Sequence, residues 1–128
     1  MAYGTLLTDT IKSSTSGPVA FQNTSGTEVG TLCRAWVQFV GSTAVINASF
    51  NVSSVTRSGT GDYLVNFTNA MTDNKYSTQA NCQDGTGNVN ITKAGLGSTF
   101  STTQVEIAVN KQGTGAIDSA IVTAAVFR

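Results

Sequence analysis

The sequence predicts an all-β chain, an antiparallel β-sandwich of jelly-roll-like type with a short lead-in. Three observations predict it. Thr, Ser, Asn and Gly make up 56 of the 128 residues (20, 13, 10 and 13), and these residue types favour turns and pleated strands and are poor in helix interiors. Eight or so short apolar segments recur at roughly 8–14-residue spacing with Gly-rich breaks between them, the pattern of a sandwich or jelly roll. Within the segments, apolar and polar residues alternate with the period of two that marks half-buried antiparallel strands. At 128 residues the chain is long enough to bury a hydrophobic core without disulfides or metals.

Residues 1–30 read as a lead-in and docking segment, and residues 31–128 as the sandwich. In the lead-in, residues 5–11 have strand character and residues 12–18 form a Ser/Thr/Gly loop. Pro18, the only proline, opens a short apolar piece through Phe21, and residues 23–30 are turn-rich. Strands are then expected over residues 31–40, 43–50, 51–56, 62–67, 75–82, 88–92, 102–110 and 118–128. Tyr63, Val65 and Phe67 point one way, opposite Asp62 and Asn66. Val105, Ile107 and Val109 likewise oppose Gln104, Glu106 and Ala108. Gly59-Thr60-Gly61, Gly85-Thr86-Gly87 and Gly113-Thr114-Gly115 read as three hairpin loops that use Gly for positive φ, with an internal duplication as the alternative.

Two segments break the alternation. In residues 31–40, Cys33, Ala35, Val37 and Phe39 form one face, while Leu32 and Trp36 share the other with Arg34 and Gln38. In the last segment, Ile121, Ala125 and Phe127 oppose Val122, Ala124 and Val126. Strands apolar on both faces need cover on both. A two-layer sandwich covers one face with its partner sheet, so the other is expected to meet a second subunit, the alternative being cover by the lead-in or a long loop. The expected subunit-interface residues are Leu32, Trp36, Val122 and Val126.

Seven basic and seven acidic side chains cancel, and charged residues are only 11% of the chain. No basic stripe is present, which argues against a nucleic-acid partner. So charge-poor a surface suits a protein held in an assembly better than a free monomer. No segment approaches the roughly 18 apolar residues of a membrane span, and the N-terminus lacks a signal-peptide pattern, so no membrane partner is expected. On that footing the sequons at Asn23, Asn47, Asn51, Asn66 and Asn90 read as products of composition. Cys33 and Cys82 read as free thiols packed as small hydrophobes, with a disulfide as the alternative.

The chain contains no His, which removes Ser-His-Asp, Cys-His and His-metal arrangements. The carboxylates Asp9, Glu28, Asp62, Asp73, Asp84, Glu106 and Asp118 are scattered, so no enzyme, catalytic residue, metal or cofactor is expected. A carboxylate pair of the glycosidase kind, formed in space, is the alternative. Asp84 to Asn88 offers oxygen ligands but lacks the further acids and closing Glu of a calcium loop. Trp36, Tyr63 and Tyr76 have the chemistry to stack on sugar rings but are expected first as core or interface residues. Loop residues Thr60, Asp62, Asp73, Asn74, Asp84 and Asn88 are the candidate receptor contacts, because exposed loops carry recognition on rigid β scaffolds.

Arg34-Ala35-Trp36-Val37-Gln38-Phe39, Ala48-Ser49-Phe50-Asn51-Val52-Ser53-Ser54-Val55, Gly59-Thr60-Gly61-Asp62-Tyr63-Leu64-Val65-Asn66-Phe67 and Ala70-Met71 together resemble a module of tailed-phage structural proteins. That module recurs at the C-terminal ends of tail fibres, especially in phages of marine bacteria and cyanobacteria. Thr8 to Ile11, Phe21 to Glu28 and the ending Ala125-Val126-Phe127-Arg128 extend the likeness. The chain departs from the family form at Gln38, at Val40-Gly41-Ser42 and at Arg57-Ser58, mostly in or beside loops. The resemblance implies a trimeric β-sandwich tip on the virion surface, made in the host bacterial cytoplasm, that mediates host attachment through a glycan or other envelope receptor. Its implied partners are copies of itself, a further virion protein (fibre, tail or capsid) on which it docks, and a host-surface glycan. A capsid decoration or head-fibre protein is the alternative, with a glycan-hydrolysing tailspike-type enzyme behind it.

Overall fold

The computed structural model describes residues 8, 10–12, 19, 21–83, 90–94 and 100–128. Most of the strand expected over residues 5–11 lies outside them, as do the candidate contacts Asp84 and Asn88. The chain divides into two compact units, Met1–Leu32 and Cys33–Arg128. In the first, strands β1 (Phe21–Gln22) and β2 (Glu28–Gly30) pair as a small antiparallel hairpin. Its turn is built by Asn23, whose side-chain oxygen accepts the backbone N–H groups of Ser25 and Thr27, each at 3.0 Å.

The second unit holds, among the described residues, strands β3 (Cys33–Phe39), β4 (Ile46–Phe50), β5 (Val52–Gly59), β6 (Asp62–Phe67), β7 (Ser77–Gln83), β8 (Asn90–Ala94), β9 (Gln104–Lys111), β10 (Gly115–Ala116) and β11 (Ile121–Phe127). One antiparallel sheet has the order β4-β3-β11-β7. The other runs β10-β9-β6-β5, with β8 also paired to β9. No helix occurs among the described residues. The all-β, antiparallel fold is the one the composition and alternation predict.

The core lies between the sheets. Ala35, Val37 and Phe39 of β3 and Val122, Ala124 and Val126 of β11 face Tyr63, Val65 and Phe67 of β6 and Val105, Ile107 and Val109 of β9. Phe39 meets Tyr63 edge-on at 4.9 Å between ring centroids. Side chains of this kind contribute about 1.5–3 kcal/mol each when fully buried.

Val122 and Val126, expected at a subunit interface, lie in the core of their own subunit instead, 0% and 1% exposed. β11 lies between β3 and β7, with Val122 opposite Phe39 and Val126 opposite Ala35. Side chains directly opposite each other share a face, so both valines must point inward with these core residues. The outward side of β11 is Ile121, Thr123, Ala125 and Phe127, all half-buried. Cys33 and Cys82 are free and half-buried.

Asn51 links three segments. It sits at a left-handed φ of 54° between β4 and β5. Its side-chain NH₂ donates to the carbonyls of Arg34 (3.0 Å) and Asn69 (3.1 Å), and its oxygen accepts the Asn69 N–H at 2.7 Å. Asn is one of the few non-Gly residues that tolerate this backbone region. Asn51→Ala is expected to lower the unfolding free energy by about 2–3 kcal/mol, through lost hydrogen bonds and added backbone strain. Denaturant titration checks this. Asn51→Gly, which relieves only the strain, should fall between the two, and equal stability of all three proteins would refute the role.

Candidate functional site

The two sheets divide charge unequally. Strands β3, β4, β7 and β11 (CRAWVQF, INASF, STQANCQ and IVTAAVF) contain one charged residue, Arg34. Strands β5, β6, β8 and β9 contain Arg57, Asp62, Lys93, Glu106 and Lys111. With one face of the β4-β3-β11-β7 sheet committed to the core, its other face is almost free of charge.

Register orders that outer face into rows. Phe50, Trp36, Ala125 and Gln79 lie side by side across the four strands, and Ala48, Gln38, Thr123 and Asn81 form the next row. Trp36 is 41% and Phe50 55% exposed. Opposed positions on neighbouring strands hold their Cβ atoms about 4.5–5.5 Å apart, so the two side chains place neighbouring apolar surface, a shelf, on this face. A hollow of about 220 Å³ lies on the same sheet, lined by Gln38, Asn81, Cys82, Gln83, Ile121 and Thr123. Carboxamides donate and accept hydrogen bonds without titrating. The face therefore presents aromatic surface and neutral polar groups together.

Of the residues singled out from sequence, Trp36 belongs to this face. Tyr63 (0% exposed) and Tyr76 (7%) do not. Tyr76 packs between Phe67 (6.0 Å) and Phe100 (5.2 Å), with its hydroxyl 3.0 Å from the carbonyls of Ser101 and Gln104. Neither tyrosine can stack on a sugar. Leu32, in the N-terminal unit, is exposed. Phe50, Gln38, Asn81 and Gln83 were not predicted. The signal that finds them is the missing charge in four successive-face segments, legible only once those segments are known to share a sheet.

The predicted contact loops separate. Thr60 and Asp62 sit at the β5–β6 hairpin, whereas Asp73 and Asn74 follow the other end of β6. Six residues of strand, about 20 Å, divide the pairs. Asp73 accepts Arg128 Nε at 2.9 Å and Nη2 at 2.6 Å, and the Lys75 N–H at 2.8 Å. The Arg128 guanidinium, with that N–H, lowers its carboxyl to about 2. Asn74 is exposed.

At the hairpin end, a polar corner that the sequence did not reveal centres on Asp118. Its Oδ1 accepts Arg57 Nε (3.0 Å), the Gly61 N–H (2.9 Å) and the Tyr63 hydroxyl (2.9 Å), and its Oδ2 accepts Arg57 Nη2 at 2.7 Å. The Arg57 fork is the main cause that holds this carboxyl at about 2, against some burial, with Gly61 and Tyr63 adding to it. Burial first, and then the bond to Asp118, raise the Tyr63 hydroxyl. A general acid for glycoside cleavage needs its pKa raised, and Asp73 and Asp118 are shifted the other way. Among the described residues, no group of three or more His, Cys, Asp or Glu is placed to hold a metal, and no helix is long and apolar enough to cross a membrane.

No family model matches the chain, and no curated protein matches it. Among solved structures it matches the phiAB6 tailspike, seen in complex with three-repeated oligosaccharides of Acinetobacter baumannii surface polysaccharide, at 15% identity and a TM-score of 0.57. The match covers 95% of this chain and 30% of that one, so the chain spans less than a third of the tailspike's length. This likeness overturns the expectation that the chain is not an enzyme. That expectation rested on missing His and scattered acids, yet glycan cleavage requires carboxylates alone. What the chain has in common with part of that phage tailspike is its antiparallel β fold.

Proposed function

We propose that the chain is a phage virion-surface protein of the tail-appendage kind, which attaches to host-surface glycans as a homotrimer and docks on another virion protein through residues 1–30. The observation that carries the reading is the fold shared with a phage tailspike along 95% of the chain. The tail-fibre resemblance of residues 34–71 and the chain's low charge support it from the sequence side.

Two measurements test it together. Antibody labelling of intact virions should mark the tail, and purified protein in excess should slow virion adsorption to host cells. Label on the head with undiminished adsorption would replace this reading with capsid decoration. Light scattering in solution should give three chains per particle.

A further inference from the structure

We propose that the outer face of the β4-β3-β11-β7 sheet is a binding platform for a neutral oligosaccharide, with one sugar ring lying on the Trp36–Phe50 shelf and the next held by amides at the hollow. This deepens the attachment reading above and rests on it.

The rings come first. Trp36 and Phe50 are opposed in register, and Ala48 and Ala125 are their small neighbours on the outer face. Both aromatic side chains are substantially exposed, Trp36 at 41% and Phe50 at 55%. Binding sites combine such apolar surface with a few placed polar groups that fix orientation, and the C–H face of a pyranose is apolar while its rim carries hydroxyls.

The polar groups lie within reach of that shelf. Gln38 is two residues from Trp36 on β3, about 7 Å along the strand. Asn81 lies two strands from Gln38 across β11, about 10 Å, and Cys82, Gln83, Ile121 and Thr123 complete the lining of the hollow. Each sugar hydroxyl both donates and accepts. A carboxamide offers both functions at one end of one side chain, which neither a carboxylate nor an ammonium does.

Charge and shape then choose between occupants. Acidic glycans are bound by the paired hydrogen bonds of Arg or the point charge of Lys, and this face carries one such group, Arg34, two residues from Trp36 on β3, against the four carboxamides Gln38, Gln79, Asn81 and Gln83. A neutral ligand is therefore favoured. A second copy of the chain is the competing occupant. It would have to bury the amides of Gln38, Gln79, Asn81 and Gln83, each of which must find a partner once dry, and to fill a concave hollow with a complementary projection. Sugar hydroxyls satisfy the amides directly.

Trp36 is the only tryptophan, so its emission reports this face without labelling. The test uses the full chain, an array of neutral oligosaccharides (gluco-, galacto-, manno- and N-acetylglucosamine-based) and oligogalacturonate as the acidic probe. At least one neutral member should bind saturably, shift the Trp36 emission to the blue and shield it from acrylamide, while oligogalacturonate should not. By calorimetry, which does not need the tryptophan, Trp36→Ala should weaken binding at least tenfold and Gln83→Ala several-fold, with unchanged circular dichroism and trimer content. Binding only to the acidic probe, or to no neutral member, overturns the proposal. So does Trp36 emission that is already shielded in the free protein, with dissociation of the trimer in Trp36→Ala, because that assigns the face to subunit contact. Host-cell adsorption separates this from failure of the attachment reading. If Trp36→Ala and Gln83→Ala adsorb like the unaltered protein, the platform is wrong and attachment stands. If the unaltered protein does not adsorb, attachment fails as well.

Discussion

Asp118→Ala is expected to lower the unfolding free energy by about 2–4 kcal/mol, read as a fall of roughly 10–20 °C in the thermal midpoint. The loss comes mainly from groups that the carboxylate keeps satisfied. Tyr63 is fully buried, and without Asp118 its hydroxyl loses its acceptor. The Gly61 N–H loses one too, and an orphaned buried donor costs more than a made hydrogen bond contributes. Arg57 lies at the surface, so its share is small. Asp118→Asn keeps an oxygen for Tyr63 and Gly61 and should lose roughly half as much. The same corner sets an acid dependence. Asp118 and Asp73 are both lowered to about 2 from an ordinary 3.8, so folding favours their ionised forms. The stability they contribute is complete above about pH 4 and is lost as the pH falls toward about 2. The midpoint should therefore be flat near neutrality and fall in that acid window, less steeply in Asp118→Asn. An unchanged slope in that variant would show that another group titrates.

Alternation carried the fold because it is local. Tyr63, Val65 and Phe67, and again Val105, Ile107 and Val109, announce their inward face within six residues of chain, and the structure buries all six. Where both faces are apolar, the pattern has nothing to say about which one is inside. Val122 and Val126 were placed outward for that reason. Opposition to Phe39 and Ala35, residues more than eighty positions away, decides the matter. Trp36 had the same ambiguity, and there the run of Ala35, Val37 and Phe39 on the other face took the core. Asp118 is the opposite case, a carboxylate whose role depends wholly on partners 55 to 61 positions distant. It looked like the first residue of a strand. The outer-face site was hidden likewise. Gln38, Asn81 and Gln83 are ordinary surface residues on separate strands until β11 lies between β3 and β7. Asn51 was legible in part, since an Asn between two strands is a standard occupant of a left-handed turn, but its bonds to Arg34 and Asn69 join segments 17 and 18 residues away.

Gly61→Ala is expected to be among the most damaging single substitutions in the chain, at about 4–6 kcal/mol, while Gly113→Ala costs only about 1–2 kcal/mol. Both glycines stand in Gly-Thr-Gly loops, with φ of +72° and +81°, so an L side chain meets the same left-handed strain at either. What differs is the surrounding space. A Cβ on Gly61 would lie 2.5 Å from the Val109 carbonyl oxygen and 2.9 Å from both N and O of Ile117, whereas one on Gly113 meets nothing within 4 Å. The obstacles at Gly61 are backbone, which cannot swing aside as a side chain can. Any retreat also breaks the bonds that define the corner, because the Gly61 carbonyl accepts the Val109 N–H at 2.8 Å while its own N–H donates to Asp118. The β5–β6 hairpin, the end of β9 and the approach to β11 thus meet at one residue with no room for a methyl group. Paired thermal and denaturant unfolding of the two variants tests this. A large gap with Gly61→Ala the weaker protein is expected. Equal losses would mean that φ alone governs both positions and that the close approach at Gly61 carries no energetic weight.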